Sequence, residues 1–186
     1  MEEQKVILSD NLERALAEAI IACAPDRLLV LTDETTRQLC WPVVEGYGCL
    51  RGAQHIVIKA GDEHKTLDSL THVWQSMQQL GATRHSLLVC IGGGMVTDLG
   101  GFAASTFKRG MSLVNIPTTL LAMVDASVGG KTGINFGGLK NELGTFRNAS
   151  SVILDTVFLR TLDTENILSG YAEMLKHGLI STPEHW

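Results

Sequence analysis

The chain has no apolar run approaching the roughly 20 residues that cross a bilayer as a helix, which argues against a membrane-spanning segment. Its first residues, Met1-Glu2-Glu3-Gln4-Lys5, are too acidic for a secretory leader. Basic charge is in deficit: 15 Lys and Arg stand against 20 Asp and Glu, a formal net charge of −5, so neither the nucleic acid backbone nor an anionic membrane is an expected partner. The four cysteines include no C-x-x-C pair, and three sit beside apolar or aromatic residues as buried thiols do, a usage that fits a reducing cytoplasm. The six histidines form no H-x-x-x-H pair, and there is neither a low-complexity tract nor a repeat. What remains is a chain of 186 residues, enough for one sizeable core with a small appendage, and a small molecule is the expected ligand.

Short apolar runs alternate with helical spacing along most of the sequence. Residues 6–8 read as a strand, and the Asp10/Asn11 pair caps a helix with Leu12, Leu16, Ala19 and Ile20 on one face. Residues 27–32 form a fully buried strand ending at Asp33, followed by a short helix to about Cys40. A third strand, 55–59, leads into Gly61-Asp62-Glu63-His64-Lys65, and residues 66–80 are helical up to a stop at Gly81. Strand 87–91 feeds a triple glycine, 96–107 is helical and 112–116 is a fifth strand. This alternation predicts an α/β fold, a Rossmann-like and mostly parallel sheet with helices on both faces. Ligands then belong at the carboxyl ends of the strands, where Asp33, residues 62–65, residues 92–98 and Pro117-Thr118-Thr119 all fall, so four segments are expected to share one crevice.

The richest stretch runs from Ile91 to Lys140. Ile91-Gly92-Gly93-Gly94-Met95-Val96-Thr97-Asp98 is an apolar strand, a triple glycine and a helix start, a layout in which backbone amides and a helix dipole receive phosphate. It is not the full G-x-G-x-x-G fingerprint, because Thr97 stands where the third glycine would be, and alone it reads equally as a tight turn. Asp98 has two readings: a helix first-turn carboxylate, or an acceptor for a ligand hydroxyl.

Taken together, Gly92-Gly93-Gly94 with Asp98, Gly101 and Phe102, then Arg109-Gly110, Pro117-Thr118-Thr119, Asp125 with Ser127 and Gly129-Gly130-Lys131, Lys140-Asn141 with Gly144 and Phe146, and Glu173 with Lys176 resemble the 3-dehydroquinate synthase family. The resemblance runs from about Asp33 to Ile180. It implies a shikimate-pathway lyase that turns 3-deoxy-D-arabino-heptulosonate 7-phosphate, a sugar phosphate, into 3-dehydroquinate and phosphate, using NAD and a divalent metal, zinc or cobalt. It also implies a homodimer in the cytoplasm. Carried over position by position, it assigns Asp33, Asp62, Lys65, Gly93, Gly94, Asp98, Thr118, Thr119, Lys131, Lys140 and Thr161 to the cofactor. Asp125, Lys131, Asn141, Lys176 and Arg109 go to catalysis and substrate binding, with Arg109 meeting substrate phosphate across a subunit boundary. Glu173 matches the first metal ligand. One departure is plain: the family usually carries Glu where this chain has Asp62.

By the same resemblance, residues 1–160 are a nucleotide-binding domain, and 161–186 are the start of a truncated α-helical domain for metal and substrate whose remaining ligands lie beyond this chain. Residues 164–180 show an apolar stripe of Leu168, Tyr171, Ala172, Leu175 and Leu179, with Glu173, Lys176 and His177 on the other side. The plain expectation for that polar side is a solvated face, with Glu173 paired to Lys176 and His177 a neighbour rather than a ligand. The isolated chain is expected to lack activity. The alternatives are another sugar-phosphate cyclase, or a non-catalytic dinucleotide-binding domain.

Overall fold

The computed structural model describes residues 4–186. Its strands are β1 (Lys5–Leu8), β2 (Leu28–Asp33), β3 (Gln54–Ile58), β4 (Leu87–Gly92), β5 (Ser112–Pro117), β6 (Lys131–Phe136), β7 (Leu139–Phe146) and β8 (Ser151–Leu154). The helices are α1 (Leu12–Cys23), α2 (Glu34–Leu39), α3 (Trp41–Val44), α4 (Leu67–Gln79), α5 (Gly94–Thr106) and α6 (Thr164–Ile180). Six strands make one parallel sheet in the order β1-β8-β5-β4-β2-β3, while β6 and β7 form a separate antiparallel pair.

The central strands are apolar almost without interruption because both their faces are covered. Leu29, Leu31, Leu88, Cys90 and Leu113 point to the side packed by α4 and α5, with Leu70, Val73, Leu99 and Ala103. Val30, Val89, Ile91, Val114 and Ile116 point to the other side, against Leu12, Leu16 and Val44 of α1 and α3. Each leucine, isoleucine and valine among them contributes roughly 1.5–3 kcal/mol by leaving water.

Connectivity decides where a crevice opens. From β2 the chain moves outward to β3 through α2 and α3 on one face, whereas from β4 it moves the opposite way to β5 through α5 on the other face. The carboxyl ends of β2 and β4 are neighbours, so the connections diverge there and leave a gap between Asp33 and Gly92.

Three features differ from the sequence expectation. Strand β8, which sits between β1 and β5, is not among the five strands read from the sequence. Helix α5 starts at Gly94 rather than Val96, since the amides of both Val96 and Thr97 already turn back to the Gly93 carbonyl at 3.1 Å. Residues 131–146, to which the sequence reading gives no secondary structure, form a hairpin laid along α5. Its turn is Gly137-Gly138, both at positive φ, the conformation that tight two-residue hairpins require. Close approach to the helix is possible because Gly101 has no side chain, and a Cβ there would strike Thr132.

Candidate functional site

Among the described helices of more than six residues, α5 is the one that starts without a side-chain cap. Asn11, Asp33, Thr66 and Asp163 each accept an amide of the helix they precede, at 3.0, 2.7, 3.4 and 2.8 Å. Gly93 before α5 supplies no such group. The first amides of a buried 13-residue helix therefore face the crevice with the positive end of its dipole and no side chain in the way. Thr119 borders this opening: a Cβ on Gly93 would lie 3.0 Å from its methyl group, and one on Gly94 would lie 3.2 Å from Ala126.

One wall of the crevice is built on Lys65, only 4% exposed. Its Nζ donates to Asp98 Oδ2 at 3.0 Å and to Asn141 Oδ1 at 2.5 Å, with Asp62 Oδ1 at 3.7 Å. Burial raises the Asp98 carboxyl above its ordinary value, and the Lys65 ammonium pulls the other way. The Asp62 carboxylate is held low chiefly by Lys140, whose Nζ sits 2.9 Å from Oδ2. Asp98 thus serves as the partner of a buried lysine, which goes beyond the two sequence readings of a first-turn charge or a ligand acceptor.

Behind α5 a cavity of about 470 Å³ is lined by Asp98, Asp125, Lys131, Thr132, Asn141 and Phe146, among others. Asp125 lies in the irregular helical turn Ala122–Ala126 and links this cavity to α6. Against the expectation of a wholly solvated polar face, α6 turns Glu173 and His177 toward the body, while Lys176 stays half exposed. Gly170 packs on Leu120, and the Glu173 side chain is 16% exposed. Donor atoms of Asp125, Glu173 and His177 lie within 4.8 Å of one another. The apolar stripe faces out instead, with Leu168 59% and Leu179 73% exposed. Glu173 is paired with Lys176, as expected, and its Oε1 also lies 3.1 Å from His177 Nε2. Lys176 is the main cause of the lowered Glu173 carboxyl. Two carboxylates and an imidazole form a donor set suited to a divalent cation with open positions for other ligands.

Other assigned residues are spread more widely. Asp33 spends its side chain capping α2, donated to by Thr36 at 2.7 Å from the amide and 3.1 Å from the hydroxyl. Burial pushes the Cys40 thiol up, and hydrogen bonding with Thr118 and Thr161 offsets part of that push. Lys140 is exposed at the rim. Arg109 stands apart: it follows the C-terminal end of α5, some 20 Å of helix from Gly94, exposed and at φ +69°. Sequence reasoning missed Asn135, whose bonds tie the hairpin to the Asp62–His64 segment and Lys65, and missed that His177 faces Asp125. Gly137-Gly138 between Phe136 and Leu139 was a usable hairpin signal.

The fold and this site define a Rossmann-like α/β protein with a dinucleotide-type opening at its strand ends. Residues 55–169, more than half the chain, match the family model for the N-terminal part of 3-dehydroquinate synthase. The whole chain is 52% identical to the 3-dehydroquinate synthase of Parabacteroides distasonis, covering 53% of that protein. Among solved structures it is similar to 2-epi-5-epi-valiolone synthase from Streptomyces hygroscopicus with NAD+ and Zn2+ bound. There the TM-score is 0.88 and the identity 35%, covering 99% of this chain and 51% of that one. It is also similar to 2-deoxy-scyllo-inosose synthase complexed with carbaglucose-6-phosphate, NAD+ and Co2+, with TM-score 0.86 and 26% identity, covering 95% of this chain and 48% of that one. The chain belongs to the 3-dehydroquinate synthase family, and it spans about half the length of the relatives it matches. No helix among the described residues is long and apolar enough to cross a membrane.

Proposed function

We propose that this chain is the nucleotide-binding part of a 3-dehydroquinate synthase acting on 3-deoxy-D-arabino-heptulosonate 7-phosphate. Residues 1–160 form the NAD domain and residues 161–186 begin the domain that completes the metal and substrate site. The observation that carries this reading is the uncapped N-terminus of α5 beside the buried Lys65–Asp98 pair, at the point where the strand connections diverge. The amides of Gly94 and Met95 would receive a pyrophosphate, and Thr119 would border it. Lys131 and Asn141, both on the cavity wall, would orient the sugar phosphate, with Lys176 supplying a further cation. Arg109 would meet substrate phosphate across a dimer boundary. Glu173 would hold the metal, with Asp125 and His177 close enough to adjust its position. Transient oxidation of a substrate alcohol would be supplied by NAD and polarisation of its oxygen by the metal. Phosphate release by the isolated chain is not expected.

The solved relatives support a sibling reading, a cyclase making a valiolone- or inosose-type ring. The 52% identity to a 3-dehydroquinate synthase favours the first. Calorimetric titration of the folded chain with NAD tests the nucleotide site. Saturable binding at millimolar or lower cofactor is expected, and no heat from well-folded protein would overturn the assignment.

A further inference from the structure

The ladder between β6 and β7 breaks at Asn135. Ile134 faces Leu143 and Phe136 faces Leu139, so Lys140, Asn141 and Glu142 bulge out opposite a single residue. Asn135 commits its backbone N–H and both ends of its side-chain amide to that bulge. Its backbone N–H leaves the hairpin and donates to the Lys65 carbonyl at 2.8 Å. Its side-chain Nδ2 donates to the Asp62 carbonyl at 3.0 Å, and its Oδ1 accepts the Asn141 amide at 3.0 Å. Only this orientation of the amide places a donor on a carbonyl and an acceptor on an N–H.

The consequence falls on Asn141. It sits at φ +55°, a left-handed conformation that asparagine tolerates better than other residues with a side chain and that its bonds here hold in place. Held so, its Oδ1 caps the Lys65 Nζ, which in turn reaches Asp98, closing a ring from Asn135 through Asn141 and Lys65 back to the 62–65 loop.

We infer that Asn135 is the positioning residue of this site: it builds the bulge that presents Lys140 and Asn141, and it couples the substrate cavity to the loop beneath the nucleotide opening. The functional weight of the inference rests on the site assignment above, but its test needs no ligand. Amide exchange followed by NMR and amine labelling, with exposed Lys59 as internal reference, are to be compared in the wild type, Asn135→Ala and Asn135→Asp. Loss of the acceptor in Asn135→Ala is expected to speed exchange at the Asn141 amide about tenfold and to raise Lys65 labelling several-fold, while amides of β2 and β4 keep their protection. Asn135→Asp keeps an acceptor oxygen for the Asn141 amide but sets a second oxygen against the Asp62 carbonyl, so the Asn141 amide is expected to keep more protection than in Asn135→Ala. Unchanged Asn141 exchange and Lys65 labelling in Asn135→Ala would overturn the inference. So would a uniform loss of protection across the sheet, which would make Asn135 a general structural residue. Failure of NAD to bind the wild type would instead count against the nucleotide assignment and leave these ligand-free readouts intact.

Discussion

Replacing Lys65 by Met removes the positive partner of a carboxylate that stays enclosed. The Lys65 side chain is 5% exposed and the Asp98 side chain 18%, with 3.0 Å between their charged atoms. Breaking a fully buried pair from one side costs about 3–5 kcal/mol, because the remaining charge is left uncompensated. Asp98 escapes part of that cost by taking up a proton. Burial already holds its carboxyl above the ordinary value, and without Lys65 nothing comparable opposes that push. An unfolding cost of roughly 2–3 kcal/mol at neutral pH is therefore expected. Its pH dependence carries the sharper test. A carboxyl whose folded value lies above its unfolded one binds its proton more readily in the native state. Stability then declines as pH rises through the folded value, by at most about 1.4 kcal/mol per pH unit. The variant should be destabilised less at pH 5 than at pH 8 in urea titrations, and adding Asp98→Asn should recover part of the loss. A deficit that is the same at both pH values, or one below about 1 kcal/mol, would refute this account of the pair.

Further outcomes follow from single contacts. Gly100→Ala gains about 1 kcal/mol of helix propensity, yet its Cβ would run into Cys90 Sγ and lie 2.9 Å from Leu31 Cδ2. Overpacking of about 1–3 kcal/mol should win, lowering the melting temperature; a raised Tm would show that the sheet and α5 can separate at little cost. His55 packs at a tilt against Trp41 with ring centroids 4.5 Å apart, its Nε2 lies 2.9 Å from Thr32 Oγ1, and it is pushed down to about 4, first by burial and then by Arg37. The unfolded chain thus takes up the proton first, so stability should fall as pH drops from about 6.5 to 4. The full gap corresponds to about 3.4 kcal/mol, which half-burial and solvent screening reduce to roughly 1–2. An NMR titration of the His55 ring with a midpoint near 6 would contradict this.

The sequence determined five of the six sheet strands and most of the helices by itself; the sixth, β8, is a four-residue run that becomes a strand through its pairing with β1 and β5. Each buried strand carries its own apolar run, and Asn11, Asp33, Thr66 and Asp163 stand at helix starts where side-chain oxygens find free amides. The glycines at 92–94 marked the opening at the strand ends for the same local reason, since backbone there must come close to other groups. What lies between distant segments was not legible. The Lys65–Asp98–Asn141 cluster joins residues 33 and 76 positions apart. The inward turn of Glu173 and His177 toward Asp125 depends on where α6 docks, which its own pattern does not encode. The amphipathic stripe of α6 correctly defines two faces but says nothing of which one meets this body. Gly170 against Leu120 favours it, because the missing side chain there allows contact close enough to bring the polar face down on Asp125, while the helix's other glycine, Gly178, packs on Trp186. Local patterns fix what each element is; the identity of its neighbours is a property of packing alone.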